Sequence, residues 1–142
     1  MISERALIDS NVLVYIIDSS EERKTRTALK LLDTVAQKPS EYVVAEQNLR
    51  EFSAVISRNK QFPEEKFYES LNAFLSAFGE IIRDEIHDWL EAFTISRSHA
   101  TSYWDALLAA TMKRHGITKI ITENVKDFRK VPGLTVENPF KG

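Results

Sequence analysis

Four acidic residues are the best candidates for chemistry in this sequence: Asp9, Glu51, Asp105 and Asp127. Asp9 stands between two apolar blocks, residues 6–8 and 12–17, where a charge is costly unless it is paired, hydrogen-bonded or bound to a metal. Grouped carboxylates repel one another, and a hard divalent cation such as Mg2+ or Mn2+ relieves that repulsion. Because such a cation acidifies an attacking water and neutralises a phosphodiester, these acids predict metal-assisted hydrolysis of a phosphate ester.

Taken singly, three of these acids have an ordinary structural interpretation. Asp9 is suited to capping a short helix that begins near Asn11. Asp105 follows Ser102 at the spacing of a capping box, in which its carboxylate accepts the Ser102 backbone N–H. Asp127 is suited to capping the turn in which it lies. Convergence of the acids therefore has to be tested against these local roles.

Other catalytic classes are excluded by what the sequence lacks. It has no cysteine, which removes thiolate catalysis, disulfide bonds and cysteine-based zinc sites. Its three histidines, at positions 87, 99 and 115, show no HExxH or paired spacing, so a histidine metal site is not expected. The net charge of -2 argues against wholesale electrostatic binding of nucleic acid. No apolar run reaches the ~18 residues that a membrane span needs, so we expect no membrane segment and a cytoplasmic location.

Strands and helices are predicted to alternate along the chain. Short apolar blocks predict strands at 6–8, 41–45, 119–122 and 134–136, with a brief strand or connector at 80–83. Amphipathic spacing predicts helices over 20–37, 46–58, 63–78, 84–95 and 102–114. The block 12–17 is either a further buried strand or the helix that Asp9 caps. This order predicts an α/β fold, a three-layer α/β/α domain with a mainly parallel central sheet, and residues 1–142 as a single domain.

The predicted sheet explains how distant acids come together. Parallel strands end at one edge of a sheet, where open α/β sheets bind their ligands. Asp9 and the loop that carries Asp127 are expected at that edge, with Glu51 and Asp105 reaching it from helices. We prefer Glu51 to Glu46 because a first-turn acid is already explained by the helix dipole.

Several large apolar residues have a predicted orientation. The aromatic stripe of the helix over 63–78 indicates core or, alternatively, a dimer surface. Trp104 is predicted to lie in the core because large aromatic side chains dominate interiors, with stacking on a nucleic-acid base as the alternative. Four residues of the helix over 84–95 are predicted to face inward: Ile86, Trp89, Leu90 and Phe93.

Four segments together resemble the PIN-domain family of metal-dependent ribonucleases, especially the small VapC-like toxins of toxin–antitoxin pairs. They are LIDSNVL (7–13), LREF (49–52), YWDALLAA (103–110) and ITENVKDF (121–128), in the family's order across nearly the whole chain. The resemblance implies that Asp9, Glu51 and Asp105 bind metal and that Asn11 and Thr122 orient them.

The fourth acid is where the sequence departs from the family. Many relatives carry aspartate at the position of Asn124, which can coordinate through its carbonyl oxygen but brings no charge. Asp127, three residues further on, is the remaining ligand that we expect.

The resemblance also implies an activity and partners. The expected activity is Mg2+- or Mn2+-dependent endoribonuclease cleavage of RNA, with an antitoxin protein that covers the cleft and a homodimer. Arg50, Lys126 and Arg129 are the basic side chains expected to follow the RNA backbone. The rival hypothesis, motivated by Asn124, is a catalytically weak or inactive PIN-like module that binds RNA or a protein. A phosphotransfer domain with Asp9 as acceptor ranks third, because it does not require a nearby Glu51.

Overall fold

Short strands and helices alternate in the computed structural model, which describes residues 4–141. The strands are β1 (Ala6–Ile8), β2 (Tyr42–Ala45), β3 (Glu80–Ile82), β4 (Lys119–Ile121) and β5 (Thr135–Glu137). The helices are α1 (Ser10–Ile17), α2 (Glu22–Gln37), α3 (Glu46–Ser57), α4 (Glu64–Ala77), α5 (Ile86–His99), α6 (Tyr103–Arg114) and α7 (Val125–Phe128). A 3-10 turn, Pro39–Glu41, leads into β2.

The strands form one sheet in the order β3–β2–β1–β4–β5, and every neighbouring pair is parallel. The centre is β1, where Leu7 pairs with Val43 on one side and with Ile120 on the other. The predicted α/β fold with a mainly parallel central sheet is confirmed. Its consequence for function is that the residues following β1 and β4 meet at one edge.

Helices cover both faces of this sheet. Ala6 and Ile8 point into a core that includes Phe52 and Phe74, whereas Leu7 points into a second core around Leu108. Successive strand residues face opposite sides, so a strand buried on both faces is apolar at every position. No helix in the described part of the chain is long and apolar enough to cross a membrane.

The interpretation of residues 12–17 as a strand is wrong, since they belong to α1. Asp9 has an extended backbone, and its side chain accepts the Ser10 N–H as the N-cap of the helix. Val12 and Leu13 are fully buried, while the rest of the block packs against the core from partly buried positions. A continuous apolar run does not distinguish a buried helix from a buried strand, and the capping interpretation of Asp9 is the correct one.

The predicted orientation of the helix over 84–95 is also wrong. This helix, α5, runs from Ile86 to His99 instead of 84–95, and its buried residues are Asp88 and Ala92. The Asp88 carboxylate is enclosed because the Arg114 side chain of α6 donates hydrogen bonds to both of its oxygens. The four residues predicted to face inward are instead exposed: Ile86 (66%), Trp89 (48%), Leu90 (66%) and Phe93 (57%).

Candidate functional site

Asp9 lies at the junction of β1 and α1, and it is 6% exposed. The N–H of Asp9 still donates to the Ile121 carbonyl of the neighbouring strand, so the residue is fixed at the end of the sheet. Its carboxylate accepts hydrogen bonds from four surrounding groups: the Ser10 N–H (2.8 Å), Asn48 Nδ2 (3.1 Å), Thr122 Oγ1 (2.7 Å) and Asn11 Nδ2 (3.3 Å). The carboxylate is therefore held in one orientation from three different elements.

The charge of Asp9 is disfavoured in spite of these hydrogen bonds. Burial raises the pKa of Asp9 to about 6, although the hydrogen bonds from Thr122 and the Ser10 N–H oppose that rise. The negative charges of Glu51 and Asp105 raise the pKa further. Three acids from distant parts of the sequence thus act on one another at this sheet edge.

Glu51 is connected to Asp9 through Ser10. The Ser10 hydroxyl lies 3.3 Å from Glu51 Oε2 and 3.5 Å from Asp9 Oδ1, so it can donate to either carboxylate. On its other side, Glu51 Oε1 accepts a 3.0 Å hydrogen bond from Gln47 Nε2, which also donates to the Trp104 carbonyl. The Gln47 amide therefore joins α3 to the first turn of α6, which carries Asp105.

Asp105 combines a structural role with proximity to the other acids. Its N–H donates to the Ser102 hydroxyl, which caps α6. Its carboxylate oxygen Oδ2 accepts a 3.4 Å hydrogen bond from Asn124 Nδ2, instead of the Ser102 backbone N–H that a full capping box predicts. Burial is the largest cause that raises the pKa of Asp105, and the charges of Asp127 and Glu51 add to it.

The loop after β4 connects Asp105 back to Asp9. The Thr122 hydroxyl donates to Asp9 and accepts a hydrogen bond from the Asn124 backbone N–H at 2.9 Å. Asn11 contacts the same hydroxyl at 3.2 Å and accepts the Glu123 N–H through its side-chain oxygen. The short turn after the strand thus places the Asn124 amide between the two acids.

Asp127 lies at the outer side of this group. Its carboxylate is 3.7 Å from Lys130 Nζ, and its charge contributes to the raised pKa of Asp105. Of the basic residues expected to contact RNA, Lys126 and Arg129 are exposed beside it. Arg50 is ion-paired to Glu46 at 2.8 Å, which makes it less available to a phosphate.

The donor set suits a hard divalent cation by its chemistry. Asp9, Glu51 and Asp105 offer carboxylate oxygens, which are the ligands that Mg2+ and Mn2+ prefer. Burial and repulsion between the acids raise the pKa of Asp9. A cation among the acids would offset both effects, because it stabilises the charged carboxylate. As the side chains stand, no group of three or more Asp, Glu or His residues within 4–141 is arranged to hold a metal ion.

Three residues of this network were missed by the sequence interpretation: Ser10, Gln47 and Asn48. Asn48 is fully buried, and its side-chain oxygen accepts the Ala45 N–H while its amide holds Asp9. A polar residue at core-facing spacing, four positions before Phe52, was the available signal. Gln47 carried no such signal in the sequence, and its buried Oε1 has no hydrogen-bond partner in the part of the chain described.

The predicted core position of Trp104 is wrong, because the residue is 66% exposed. It lies in the first turn of α6, and its ring meets the Tyr103 ring edge-on at 5.4 Å. Its carbonyl is held by Gln47, so the backbone is fixed while the indole faces solvent. An exposed aromatic ring therefore stands next to Asp105 in the sequence.

The chain is similar to known proteins in sequence pattern and in fold. A sequence model of the PIN domain matches residues 6–134. Similar solved structures include VapBC2 from Rickettsia felis bound to promoter DNA (20% identity, TM-score 0.68, 94% of this chain and 97% of that chain covered). Another is a toxin–antitoxin complex from Klebsiella pneumoniae (24% identity, TM-score 0.66, 94% of this chain and 97% of that chain covered). A third is VapC20 from Mycobacterium tuberculosis, described as a sarcin-ricin loop cleaving toxin (16% identity, TM-score 0.67, 85% of this chain and 91% of that chain covered). No curated protein sequence matches the chain.

Proposed function

The chain belongs to the PIN domain family, and on that premise we propose that it is a metal-dependent endoribonuclease, the toxin of a toxin–antitoxin pair. We propose further that residues 1–142 form a single domain that acts in the cytoplasm. The observation that carries the proposal is the buried Asp9 at the end of the central strand, with a pKa raised to about 6 beside Glu51 and Asp105. Such an arrangement is destabilising unless a positive charge compensates it.

Asp9, Glu51 and Asp105 would hold Mg2+ or Mn2+, and Asp127 on the outer side would complete the set. When bound, the ion supplies positive charge to the phosphodiester and lowers the pKa of an attacking water. The chain itself orients the acids: Thr122 holds Asp9, whereas Gln47 fixes Glu51. Ligands held by surrounding hydrogen bonds lose little freedom when they bind, which favours affinity.

The negative charge of these acids must be compensated before RNA can approach them. A phosphate at about 4 Å from a carboxylate is repelled by about 4 kcal/mol at an effective dielectric near 20. Lys126 and Arg129 are exposed near Asp127 and would contact the backbone of a single strand. Trp104, exposed beside Asp105, would stack on an unpaired base.

The test of the chemistry is RNA cleavage by the purified chain with Mn2+, followed by excess chelator. Cleavage should require the ion and should fall at least about a hundredfold in Asp9→Asn, since positioned metal ligands and charges contribute that much to catalysis. Circular dichroism would establish that the variant is folded. Cleavage that persists in the presence of the chelator would contradict the metal mechanism.

The test of the substrate site is binding of single-stranded RNA with Mn2+ present, measured in the Asp9→Asn background, where cleavage is suppressed. Trp104→Ala should weaken binding about tenfold, because a base–aromatic stack contributes roughly 1–3 kcal/mol. Tyr68→Ala is the matched control, since Tyr68 is an exposed aromatic residue (57%) on α4. Equal losses in both variants would argue against stacking on Trp104.

An inactive RNA- or protein-binding module is the second candidate function, and Asn124 favours it. The Asn124 amide donates to Asp105 instead of adding the charge that many relatives have there. In that case the chain would not cleave RNA with either Mg2+ or Mn2+, and Asp9→Asn would leave its affinity for RNA unchanged.

The antitoxin proposal has its own test. Co-expression with the product of a short reading frame immediately upstream should suppress RNA cleavage by the chain. Absence of such a frame would remove the toxin label while leaving the nuclease proposal in place.

A further inference from the structure

A cluster of three side chains lies at the turn that follows β4, next to the acidic site. Glu123 of this turn accepts a 2.8 Å hydrogen bond from the Tyr15 hydroxyl of α1 and a 2.5 Å hydrogen bond from Lys24 Nζ of α2. Lys24 Nζ also donates to the Tyr15 oxygen at 3.3 Å. Burial and the hydrogen bond to Glu123 raise the pKa of Tyr15, although Lys24 opposes that rise, so the phenol keeps its proton and acts as the donor. The three side chains therefore join three separate elements, and we call them the Glu123 clamp.

The Glu123 clamp is more restrained than an ordinary surface ion pair. The side chains of Lys24 and Glu123 are each only 30% exposed. The Lys24 ammonium lies over two aromatic rings, at 5.0 Å from the centre of Tyr15 and 5.7 Å from that of Phe140, and these two rings meet edge-on. Exposed pairs of long side chains contribute little because they are mobile and solvated, whereas a partly desolvated cation over aromatic rings is held in place. The Glu123 carboxylate is therefore fixed in position by its partners.

The backbone of Glu123 connects this clamp to Asp9. The Glu123 N–H donates to Asn11 Oδ1 at 3.2 Å. The Asn11 amide nitrogen in turn lies 3.3 Å from Asp9 Oδ2 and 3.2 Å from Thr122 Oγ1, the hydroxyl that donates to Asp9 at 2.7 Å. Asn11 and Tyr15 are four residues apart in α1, so they lie on one face of that helix. This face therefore holds Glu123 twice, once by its N–H and once by its carboxylate.

We propose that Glu123 is a positioning residue of the acidic site, which aligns the Asp9 carboxylate by fixing the turn after β4. Both Glu123 oxygens are engaged within the clamp, so the residue acts through its neighbours and not as a metal ligand. The residues on either side of it carry that effect to the acids, because Thr122 donates to Asp9 and Asn124 donates to Asp105. The inference rests on the proposed function only in taking Asp9 as a metal ligand.

The first test is the affinity of the folded full chain for Mn2+, measured by calorimetry at pH 7.5. Glu123→Ala should lower this affinity about tenfold, since the loss of a residue that orients a metal ligand costs about 10–100-fold. Lys24→Met removes the charge that holds Glu123 and should also lower the affinity, whereas Lys24→Arg keeps the charge and should restore most of it. A clamp that only stabilised the fold would change urea unfolding and leave the Mn2+ affinity of the folded chain unchanged.

Glu91→Ala is the matched control for the loss of an ion pair between two elements. Glu91 of α5 pairs with Lys113 of α6 at 2.9 Å, and its side chain is 27% exposed, close to the 30% of Glu123. Lys113 lies in the last turn of α6, whereas Asp105 lies in the first, so this variant should keep the native Mn2+ affinity. Equal losses of affinity in Glu91→Ala and Glu123→Ala would overturn the inference, because they would reflect a general loss of stability.

A metal-free measurement tests the alignment itself. In urea unfolding with chelator, the losses of unfolding free energy caused by Glu123→Ala and Asn11→Ala should be less than additive, because both substitutions release the same turn. The loss caused by Glu91→Ala should add fully to that of Asn11→Ala. Strict additivity of Glu123→Ala with Asn11→Ala, or an unchanged Mn2+ affinity in Glu123→Ala, would overturn the inference and leave the proposed function in place. A native chain that binds no Mn2+ would instead refute the proposed function, and the unfolding measurement would then decide the role of the clamp.

Discussion

The raised pKa of Asp9 predicts how the stability of the metal-free protein depends on pH. The folded value of about 6 lies above the reference value of 3.8, so the folded state holds a proton that the unfolded chain has already released. The stability that protonated Asp9 contributes is complete below pH 3.8 and is lost as pH rises through about 6. One pKa unit corresponds to about 1.4 kcal/mol, so the loss is about 3 kcal/mol, a large part of a typical folding free energy of 5–15 kcal/mol.

The assay is urea unfolding of the native chain and of Asp9→Asn, both in chelator, between about pH 4.5 and 7.5. Other acidic groups titrate in both proteins, so the difference between the two unfolding free energies isolates Asp9. An asparagine at position 9 does not titrate. Its side-chain NH2 group faces hydrogen-bond donors from which the carboxylate accepted, and this adds a pH-independent offset to the unfolding free energy of the variant. The difference should shift against the native chain by about 2 kcal/mol over this range.

Metal binding gives the second half of the same prediction. Mn2+ at pH 7.5 should restore the stability of the native chain, because a ligand that binds only the folded state stabilises it by mass action. The same addition should have little effect on Asp9→Asn. A stability difference that stays constant with pH would show that the folded protein does not disfavour the charge of Asp9, and the argument for a cation would lose its basis.

Three further predictions concern the surroundings of the acids. Gln47→Leu should lower Mn2+ affinity about tenfold by calorimetry, since it removes the amide that orients Glu51; unchanged affinity would show that Gln47 only packs. Asn124→Asp should raise Mn2+ affinity in the same assay by adding a charged ligand, and a weaker affinity would mean that the amide is needed as a donor. Asp88→Asn should lower the free energy of urea unfolding by about 1–2 kcal/mol, because it removes the buried carboxylate that accepts the hydrogen bonds of Arg114, whereas an unchanged free energy would contradict that account.

Local rules were sufficient to predict four strands and five long helices in order, whereas residues 12–17 were left open between strand and helix and α7 was not predicted. The apolar blocks before Asp9 and Thr122 are short, flanked by polar residues and separated by amphipathic segments, which indicates parallel strands with helical crossovers. From that arrangement alone, Asp9 and the loop after β4 were expected at the same edge. The contacts of Asp9 with Thr122 and Asn11 show why this works: neighbouring parallel strands end at the same level of the sheet.

Side-chain direction was harder to predict because it depends on partners that are distant in the sequence. In α5, hydrophobic spacing favoured burial of the four large residues, and the opposite face is buried instead. Arg114 decides that outcome, because its side chain donates a hydrogen bond to the Asp88 carboxylate and so allows that carboxylate to be buried. Arg114 lies 26 residues after Asp88 in the sequence. Trp104 shows the same limit, since its exposure follows from how Gln47 and Tyr103 hold the start of α6.

The two buried aspartates of this protein show how a structural acid differs from a candidate functional one. Burial acts to raise the pKa of Asp88, but the hydrogen bonds and charge of Arg114 outweigh it and hold that pKa below its ordinary value. Asp9 is about as inaccessible to solvent as Asp88 and accepts more hydrogen bonds. The charged neighbours of Asp9 are acids, however, and its pKa is raised. Neutral donors such as Asn48 and Thr122 orient a carboxylate without balancing its charge. The fold therefore supplies the counter-charge for Asp88 from within the chain and leaves that of Asp9 to come from outside, which is the property expected of a metal ligand.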